Sequence, residues 1–255
     1  MKKALLCVSF GTSVPEARAG IDAVARVLRD GFSDSVFELA FTSPTIRKIL
    51  KSRGEEICSV PEAFEKLLEQ GVTDVTVQPT HLLYGIEYDK IRDQVAIYRD
   101  KFQSVILGRP LVADTEDMKK LAEVLAQQYP PRDGEALVLF GHGTDHAYNA
   151  VYPAMQTAFN LMGRKDVIVG TVEGWPALAD VMKELEEGRF RAVRLVPMML
   201  VAGDHAMNDM AGQDEDSWKS VLEGKGYSVS CVMSGLGVLD CVQQMYLQHL
   251  LSLGD

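Results

Sequence analysis

The chain has 255 residues, of which 47% are hydrophobic and 24% charged, and its formal net charge is −10 at pH 7. This length fits one large domain or two of about 125 residues each. The acidic balance argues against nucleic acid as a partner, because the sequence has no basic stripe to neutralise phosphates. No apolar run reaches the roughly 18 residues of a membrane span, so we also expect no membrane partner.

Short apolar segments alternate with longer amphipathic ones along the chain, which predicts an α/β fold of parallel sheets covered by helices. The first segment lacks the cleavage site of a secretory signal, so we expect a buried strand in a cytoplasmic protein. The predicted strands are Lys3–Ser9, Val36–Phe41, Val75–Gln78, Ser104–Leu107, Leu137–Phe140, Val167–Val172, Val193–Pro197 and Val229–Val232. The predicted helices are Ala17–Arg29, Pro61–Leu68, Tyr88–Phe102, Tyr148–Leu161, Leu178–Glu186 and Ser217–Leu222.

The second half of the sequence resembles the first, which predicts an internal duplication. When Pro79 is aligned with Pro197, Gly85 aligns with Gly203 and Glu87 aligns with His205. We therefore expect two similar lobes of four parallel strands each.

A boundary between these lobes is predicted at 129–135, where two prolines and a glycine interrupt the preceding helix. The predicted domains are an N-terminal α/β lobe, 1–128, and a C-terminal α/β lobe, 129–255.

Three potential metal ligands follow successive strands of the second half. His142 lies between two glycines after the first strand, Glu173 follows the second, and His205 follows the third. The carboxyl ends of parallel strands share one edge of a sheet, and ligands bind there in open α/β folds. Two imidazoles and a carboxylate at that edge match an open site for a divalent transition metal. Taken singly, each residue has an ordinary alternative role in a turn or at a helix start.

The loop formed by Ser9, Phe10, Gly11, Thr12 and Ser13 follows the first strand of the first half. Its backbone N–H groups are candidates for binding an anionic ligand. Nucleotide binding has little support, because the loop lacks both the lysine of a Walker motif and a G-x-G-x-x-G spacing.

Several of these motifs resemble one known family. They are Ser9-Phe-Gly-Thr-Ser13, Gly141-His-Gly143, Val172-Glu173 and, above all, the long segment from Leu195 to Met210. The chain resembles the anaerobic sirohydrochlorin cobaltochelatases, class II chelatases related to ferrochelatase, from residue 1 to about residue 250. The resemblance implies a chelatase-like fold of two flavodoxin-like α/β lobes, with a cleft for a tetrapyrrole between them.

The resemblance also implies an activity, the insertion of Co²⁺ into sirohydrochlorin during cobalamin synthesis. It assigns metal binding to His142, Glu173 and His205, and the abstraction of pyrrole protons to His142. Glu87 is a further catalytic candidate, and His81 and the Ser9–Ser13 loop are candidates for contact with the tetrapyrrole.

The sequence leaves several alternatives open. Fe²⁺ or Ni²⁺ could replace Co²⁺, because imidazole and carboxylate ligands suit all three ions. A carrier protein that binds a metal or a tetrapyrrole would use the same ligand set. Haem binding and a homo-oligomeric state are not decided by the sequence.

Overall fold

The structure, a computed structural model, describes residues 1–254 and contains two four-stranded parallel sheets. The strands are β1 Lys3–Ser9, β2 Val36–Phe41, β3 Asp74–Pro79, β4 Ser104–Leu107, β5 Glu135–Gly141, β6 Val167–Thr171, β7 Ala192–Pro197 and β8 Ser228–Cys231. The helices are α1 Pro15–Gly31, α2 Pro44–Ser52, α3 Val60–Glu69, α4 Ile86–Tyr98, α5 Thr115–Gln128, α6 Val151–Leu161, α7 Leu178–Gly188, α8 Trp218–Gly224 and α9 Asp240–Leu251. The predicted α/β fold class is confirmed.

The two sheets have the same strand order, β2-β1-β3-β4 and β6-β5-β7-β8. Pro79 of β3 lies beside Val8 of β1, and Pro197 of β7 lies beside Phe140 of β5. Each proline therefore ends the third strand of its sheet at the equivalent register. The predicted equivalence of these two strands is confirmed.

The central strands are buried on both faces, as expected for parallel sheets covered by helices. In the second sheet, Phe140 is fully buried and packs edge-on against Trp218, with ring centroids 4.8 Å apart. Burying a side chain of this size stabilises a fold by about 1.5–3 kcal/mol. This packing fixes the end of β5, directly before the loop that follows it.

Several helices begin at residues suited to cap them. The Ser43 hydroxyl accepts from the Ile46 N–H at the start of α2, and the Asp114 carboxylate caps α5. At α3, Ser59 and Glu62 form a reciprocal capping box. Each cap provides partners for N–H groups that have none within the helix.

The chain divides into two units, but not at the predicted boundary near residues 128 and 129. The first unit contains Met1–Ala113 and the segment that starts at Gly237, and the second unit contains Asp114–Leu236. The division differs because the last helix of each predicted half packs within the unit formed mainly by the other half: α5 packs on α6 in the second unit, and α9 packs on α1 in the first unit.

Hydrogen bonds fix both of these helices in place. The Arg164 guanidinium, after α6, donates to the carbonyls of Ala126 and Tyr129 at 2.9 Å. In the first unit, the Tyr246 hydroxyl of α9 donates to the Thr80 carbonyl at 2.7 Å. The proline-rich segment 129–135 therefore lies inside the second unit and does not link the two units.

Within residues 1–254, every helix is too short or too polar to cross a membrane.

Candidate metal centre

The three predicted metal ligands lie together at the carboxyl edge of the second sheet. His142 directly follows β5, Glu173 follows β6 and His205 follows β7. One ligand atom from each side chain can be chosen so that all three lie within 4.8 Å of one another. The rings of His142 and His205 stand edge to face, with centroids 4.5 Å apart.

The spacing of these ligand atoms suits one divalent ion. Nitrogen and oxygen ligands lie about 2.1 Å from such an ion, so two ligands of one ion are at most about 4.2 Å apart. The His205 Nε2 atom is 4.0 Å from one Glu173 carboxylate oxygen, and the His142 ring lies near the other oxygen, with its Nδ1 atom at 3.7 Å. Small side-chain rotations would bring all three onto one ion, with a coordination position left open.

The side chains at this site are accessible. The exposed fractions are 46% for His142, 56% for Glu173 and 32% for His205. Accessible, non-thiolate ligands suit an ion that must both arrive and leave. A closed structural site would instead surround its metal with four protein ligands.

The loops that carry His142 and Glu173 touch through a glycine. The Glu173 N–H donates to the His142 carbonyl at 2.7 Å. Gly143 has φ +84°, and a Cβ on it would lie 2.5 Å from the Gly174 nitrogen. Only glycine fits this close approach and this left-handed conformation.

Two residues that the sequence analysis did not identify support the same loops. The Tyr152 hydroxyl accepts from the Gly143 N–H at 3.2 Å. Burial raises the pKa of Tyr152, so the hydroxyl stays neutral. The Asn149 side chain joins the two loops, because it accepts from the Thr144 N–H at 3.1 Å and donates to the Trp175 carbonyl at 2.7 Å. Neither residue carries a recognisable sequence signal.

A third residue not assigned a role from the sequence orients His205. The Asp209 carboxylate lies 2.7 Å from His205 Nδ1. His205 directly precedes a one-turn π-helix, Ala206–Met210, that contains Asp209, and π-helical turns are frequent at functional sites. The four-residue spacing of a histidine and an aspartate after a buried strand is the signal that could have identified this pair.

The Ser9–Ser13 loop lies in the first unit, and its packing there accounts for its buried residues and its glycine. Ser9 and Thr12 are buried, whereas Phe10 is half exposed. Gly11 has φ +98°, and a Cβ on it would lie 2.5 Å from the Phe41 ring. Contact of this loop with the tetrapyrrole stays a prediction.

His81 and Glu87 also lie in the first unit. Both ring nitrogens of His81 are buried and have no hydrogen-bond partner in the described part of the chain. Burial lowers the pKa of His81 to about 4, against the opposing effect of the Glu87 charge, so the ring is neutral at pH 7. Glu87 lies in the first turn of α4 and forms an ion pair with Lys90. Their roles in the reaction stay predictions.

The remaining histidine near the site, His146, lies outside the ligand group. Its Nδ1 accepts from the Tyr148 N–H at 3.2 Å, and its ring stacks on the Tyr148 ring at 5.7 Å. His146 therefore contacts Tyr148 and is not one of the three candidate ligands.

The fold is shared with solved structures of other proteins. SirB from Bacillus subtilis with Fe3+ superposes with a TM-score of 0.69 at 21% identity, over 99% of this chain and 95% of that one. CbiX, described as the terminal enzyme of sirohaem biosynthesis in denitrifying bacteria, superposes with a TM-score of 0.54 at 13% identity, over 99% of both chains. At these identities the likeness establishes the fold alone.

Sequence comparison identifies the family. The cobalt chelatase (CbiK) family matches residues 3–254. The sirohydrochlorin cobaltochelatase of Salmonella typhimurium is 39% identical over 256 residues, covering 98% of this chain and 96% of the relative. The sirohydrochlorin cobaltochelatase CbiKC of Nitratidesulfovibrio vulgaris is 33% identical, covering 98% of this chain and 89% of the relative. The chain belongs to the cobalt chelatase family, an enzyme family, and the resemblance found in the sequence is confirmed.

Proposed function

We propose that this enzyme inserts Co²⁺ into sirohydrochlorin, a step of cobalamin synthesis, with the ion held by His142, Glu173 and His205. The observation that carries the proposal is the convergence of these three side chains at one sheet edge. Family membership supports both the metal and the tetrapyrrole, since two relatives named for this reaction match nearly the whole chain.

The ligand set fits an ion that is a substrate. The Glu173 carboxylate offsets part of the charge of a dication, and two imidazoles supply nitrogen ligands. Thiolates are absent from this group of ligands, so the ion is not bound by the soft sulfur ligands typical of structural zinc sites. The half-exposed ligands allow the ion to pass to the ring nitrogens of the tetrapyrrole.

The reaction also moves two protons. Two pyrrole N–H bonds break as the ring nitrogens bind Co²⁺, and the two protons leave through bases to the solvent. Histidine is the side chain that most often transfers protons near neutral pH. His142 is half exposed beside the other ligands, so we assign it as the base that accepts a pyrrole proton.

Co²⁺ is the proposed metal because the family match names cobalt. The ligands themselves also suit Fe²⁺ and Ni²⁺. The cytoplasm as location stays a prediction, and haem binding and the oligomeric state stay undecided.

An anaerobic absorbance time course of sirohydrochlorin with Co²⁺ and the protein tests this function. We expect many equivalents of cobalt-sirohydrochlorin per chain, formed faster than with Fe²⁺ or Ni²⁺ under the same conditions. A reaction that stops at one equivalent would show a carrier and contradict the proposal. Faster turnover with Fe²⁺ or Ni²⁺ would overturn the choice of metal.

Glu87 is proposed to assist the movement of protons or the entry of the metal. We expect Glu87→Gln to slow metallation about tenfold, less than the loss of a principal base, which is typically about 10²–10⁴-fold. The midpoint of thermal unfolding should change little, because an ion pair near the surface, such as the partly exposed Glu87–Lys90 pair, contributes only about 0–1 kcal/mol.

Glu116→Gln is the matched control for this prediction. Glu116 also lies in the first turn of a helix and pairs with a lysine three residues later, Lys119. Its replacement should leave the rate unchanged. Equal metallation rates for the Glu87 and Glu116 variants would contradict a role for Glu87 in the reaction.

A further inference from the structure

The two histidines of the metal centre differ in what their Nδ1 atoms contact. His205 Nδ1 lies 2.7 Å from the Asp209 carboxylate, whereas His142 Nδ1 lies 2.9 Å from the Gly143 backbone carbonyl. Carboxylate and carbonyl oxygens can only accept hydrogen bonds. Each Nδ1 must therefore carry the proton and donate, which leaves the lone pair of each ring on Nε2.

The two hydrogen bonds are not equivalent in strength. A bond to an ionised acceptor is stronger than a bond to a neutral carbonyl. A carboxylate that accepts from a metal-binding imidazole also fixes the ring orientation and makes its other nitrogen a better ligand. His205 receives this assistance from Asp209, whereas the Nδ1 partner of His142 is an uncharged peptide group.

The position of the His205 ring also favours His205 as the stronger metal ligand of the two histidines. Its Nε2 atom, which carries the lone pair, lies 4.0 Å from Glu173 Oε1. His142 instead has its protonated Nδ1 nearest to Glu173, at 3.7 Å from Oε2. The His205 lone pair is thus on the ring nitrogen that lies near the anionic residue of the site, as a metal position between the two requires.

We propose that Asp209 is a positioning residue that makes His205 the principal anchor of Co²⁺. His142 then holds the ion more weakly, releases it first and is the histidine whose Nε2 becomes free to accept a pyrrole proton. This inference rests on the proposed function, because it divides the metal-holding and proton-accepting roles between the two histidines.

The same segment provides a matched control. Asp204 and Asn208 also lie four residues apart, and their side chains form a hydrogen bond of 2.9 Å. Neither residue belongs to the ligand group. Asp204→Asn therefore removes one carboxylate charge from the same segment without touching a ligand.

Co²⁺ titration in the absence of tetrapyrrole, followed by the visible absorbance of the bound ion, tests the role of Asp209. We expect Asp209→Asn to weaken Co²⁺ binding about 10–100-fold, the usual effect of losing such a partner. The amide either accepts without a charge or presents its NH₂ group to Nδ1, which would move the ring proton onto Nε2 and block the metal. Asp204→Asn should bind Co²⁺ as the wild-type chain does, with an unchanged spectrum.

Two further comparisons separate this role from a structural one. Asp209→Glu retains a carboxylate and should recover part of the Co²⁺ affinity that is lost in Asp209→Asn. The two variants should have the same thermal stability. His205→Ala should weaken Co²⁺ binding more than His142→Ala does. Unchanged affinity in Asp209→Asn, or a larger loss of affinity in His142→Ala, would overturn the inference.

The outcomes also distinguish this inference from the proposed function. A wild-type chain that turns over sirohydrochlorin while Asp209→Asn binds Co²⁺ normally would retain the function and overturn the role of Asp209. A wild-type chain that does not turn over, but whose Co²⁺ affinity depends on Asp209 as expected, would overturn the function alone. Absence of Co²⁺ binding in the wild-type chain would overturn both.

Discussion

Replacing His142 with alanine is expected to slow cobalt insertion by about 10²–10⁴-fold, the usual contribution of a general base. The physical reason is that the half-exposed ring beside Glu173 is the proposed acceptor of a pyrrole proton. The free energy of unfolding should change little, because the side chain is accessible to solvent and its removal leaves no buried cavity. Initial rates from the anaerobic absorbance assay measure the loss.

His146→Ala is the control for this prediction. The His146 ring stacks on Tyr148 outside the ligand group, so its loss should leave the rate nearly unchanged. Rates that fall equally in the two variants would contradict the assignment of His142 as the base. A Co²⁺ titration of the His142 variant separates a lost base from a lost ligand, because we expect it to retain more Co²⁺ affinity than His205→Ala.

The strands were well predicted because strands buried on both faces are continuous apolar runs. β1, β2 and β4 have the predicted bounds, and β5 extends beyond the predicted Leu137–Phe140 by two residues at the start and one at the end. The repeat was also visible, since equivalent prolines end β3 and β7.

Three helices, α2, α5 and α9, had no predicted bounds, and two of these, α5 and α9, account for the difference between the predicted boundary and the observed division into units. The buried side of α9 carries Gln243 and His249 among its apolar residues, which obscures a helical hydrophobic pattern. For α5, the Asp114 cap followed by acidic residues was a usable signal. Which unit a helix joins depends on long-range packing, such as α9 on α1, and no local pattern encodes it.

The ligand group was predictable because residues at the carboxyl ends of parallel strands must share an edge. The roles of Tyr152, Asn149 and Asp209 were not predicted, because each depends on a hydrogen bond to a segment whose position only the folded chain defines. Position along the strands was thus enough to identify the candidate ligands, whereas the residues that hold them in place could be identified only from the structure.

The close contact between the two ligand-bearing loops leads to a second prediction with a large expected effect. Gly143→Ala should abolish detectable Co²⁺ binding and destabilise the fold by roughly 3 kcal/mol or more. An alanine at φ +84° costs about 1–2 kcal/mol in backbone strain. Its Cβ would also lie 2.5 Å from Gly174 N and 2.8 Å from Glu173 C, and such overpacking adds about 1–3 kcal/mol.

The clash involves backbone atoms, which cannot rotate away as a side chain can. Relief requires the loops to separate, and separation breaks the 2.7 Å hydrogen bond from the Glu173 N–H to the His142 carbonyl. Glu173 then moves away from both histidines, and one ion can no longer contact all three ligands. Loss of stability and loss of Co²⁺ binding should therefore occur together in this variant.

Gly163→Ala isolates the backbone strain from the clash. Gly163 has φ +76° at the end of α6, and a Cβ on it meets nothing within 4 Å. This variant should lose only about 1–2 kcal/mol of stability, measured by denaturant unfolding, and should bind Co²⁺ with wild-type affinity. If Gly143→Ala and Gly163→Ala bound Co²⁺ equally well, the close approach of the two loops would not be what holds Glu173 beside the histidines.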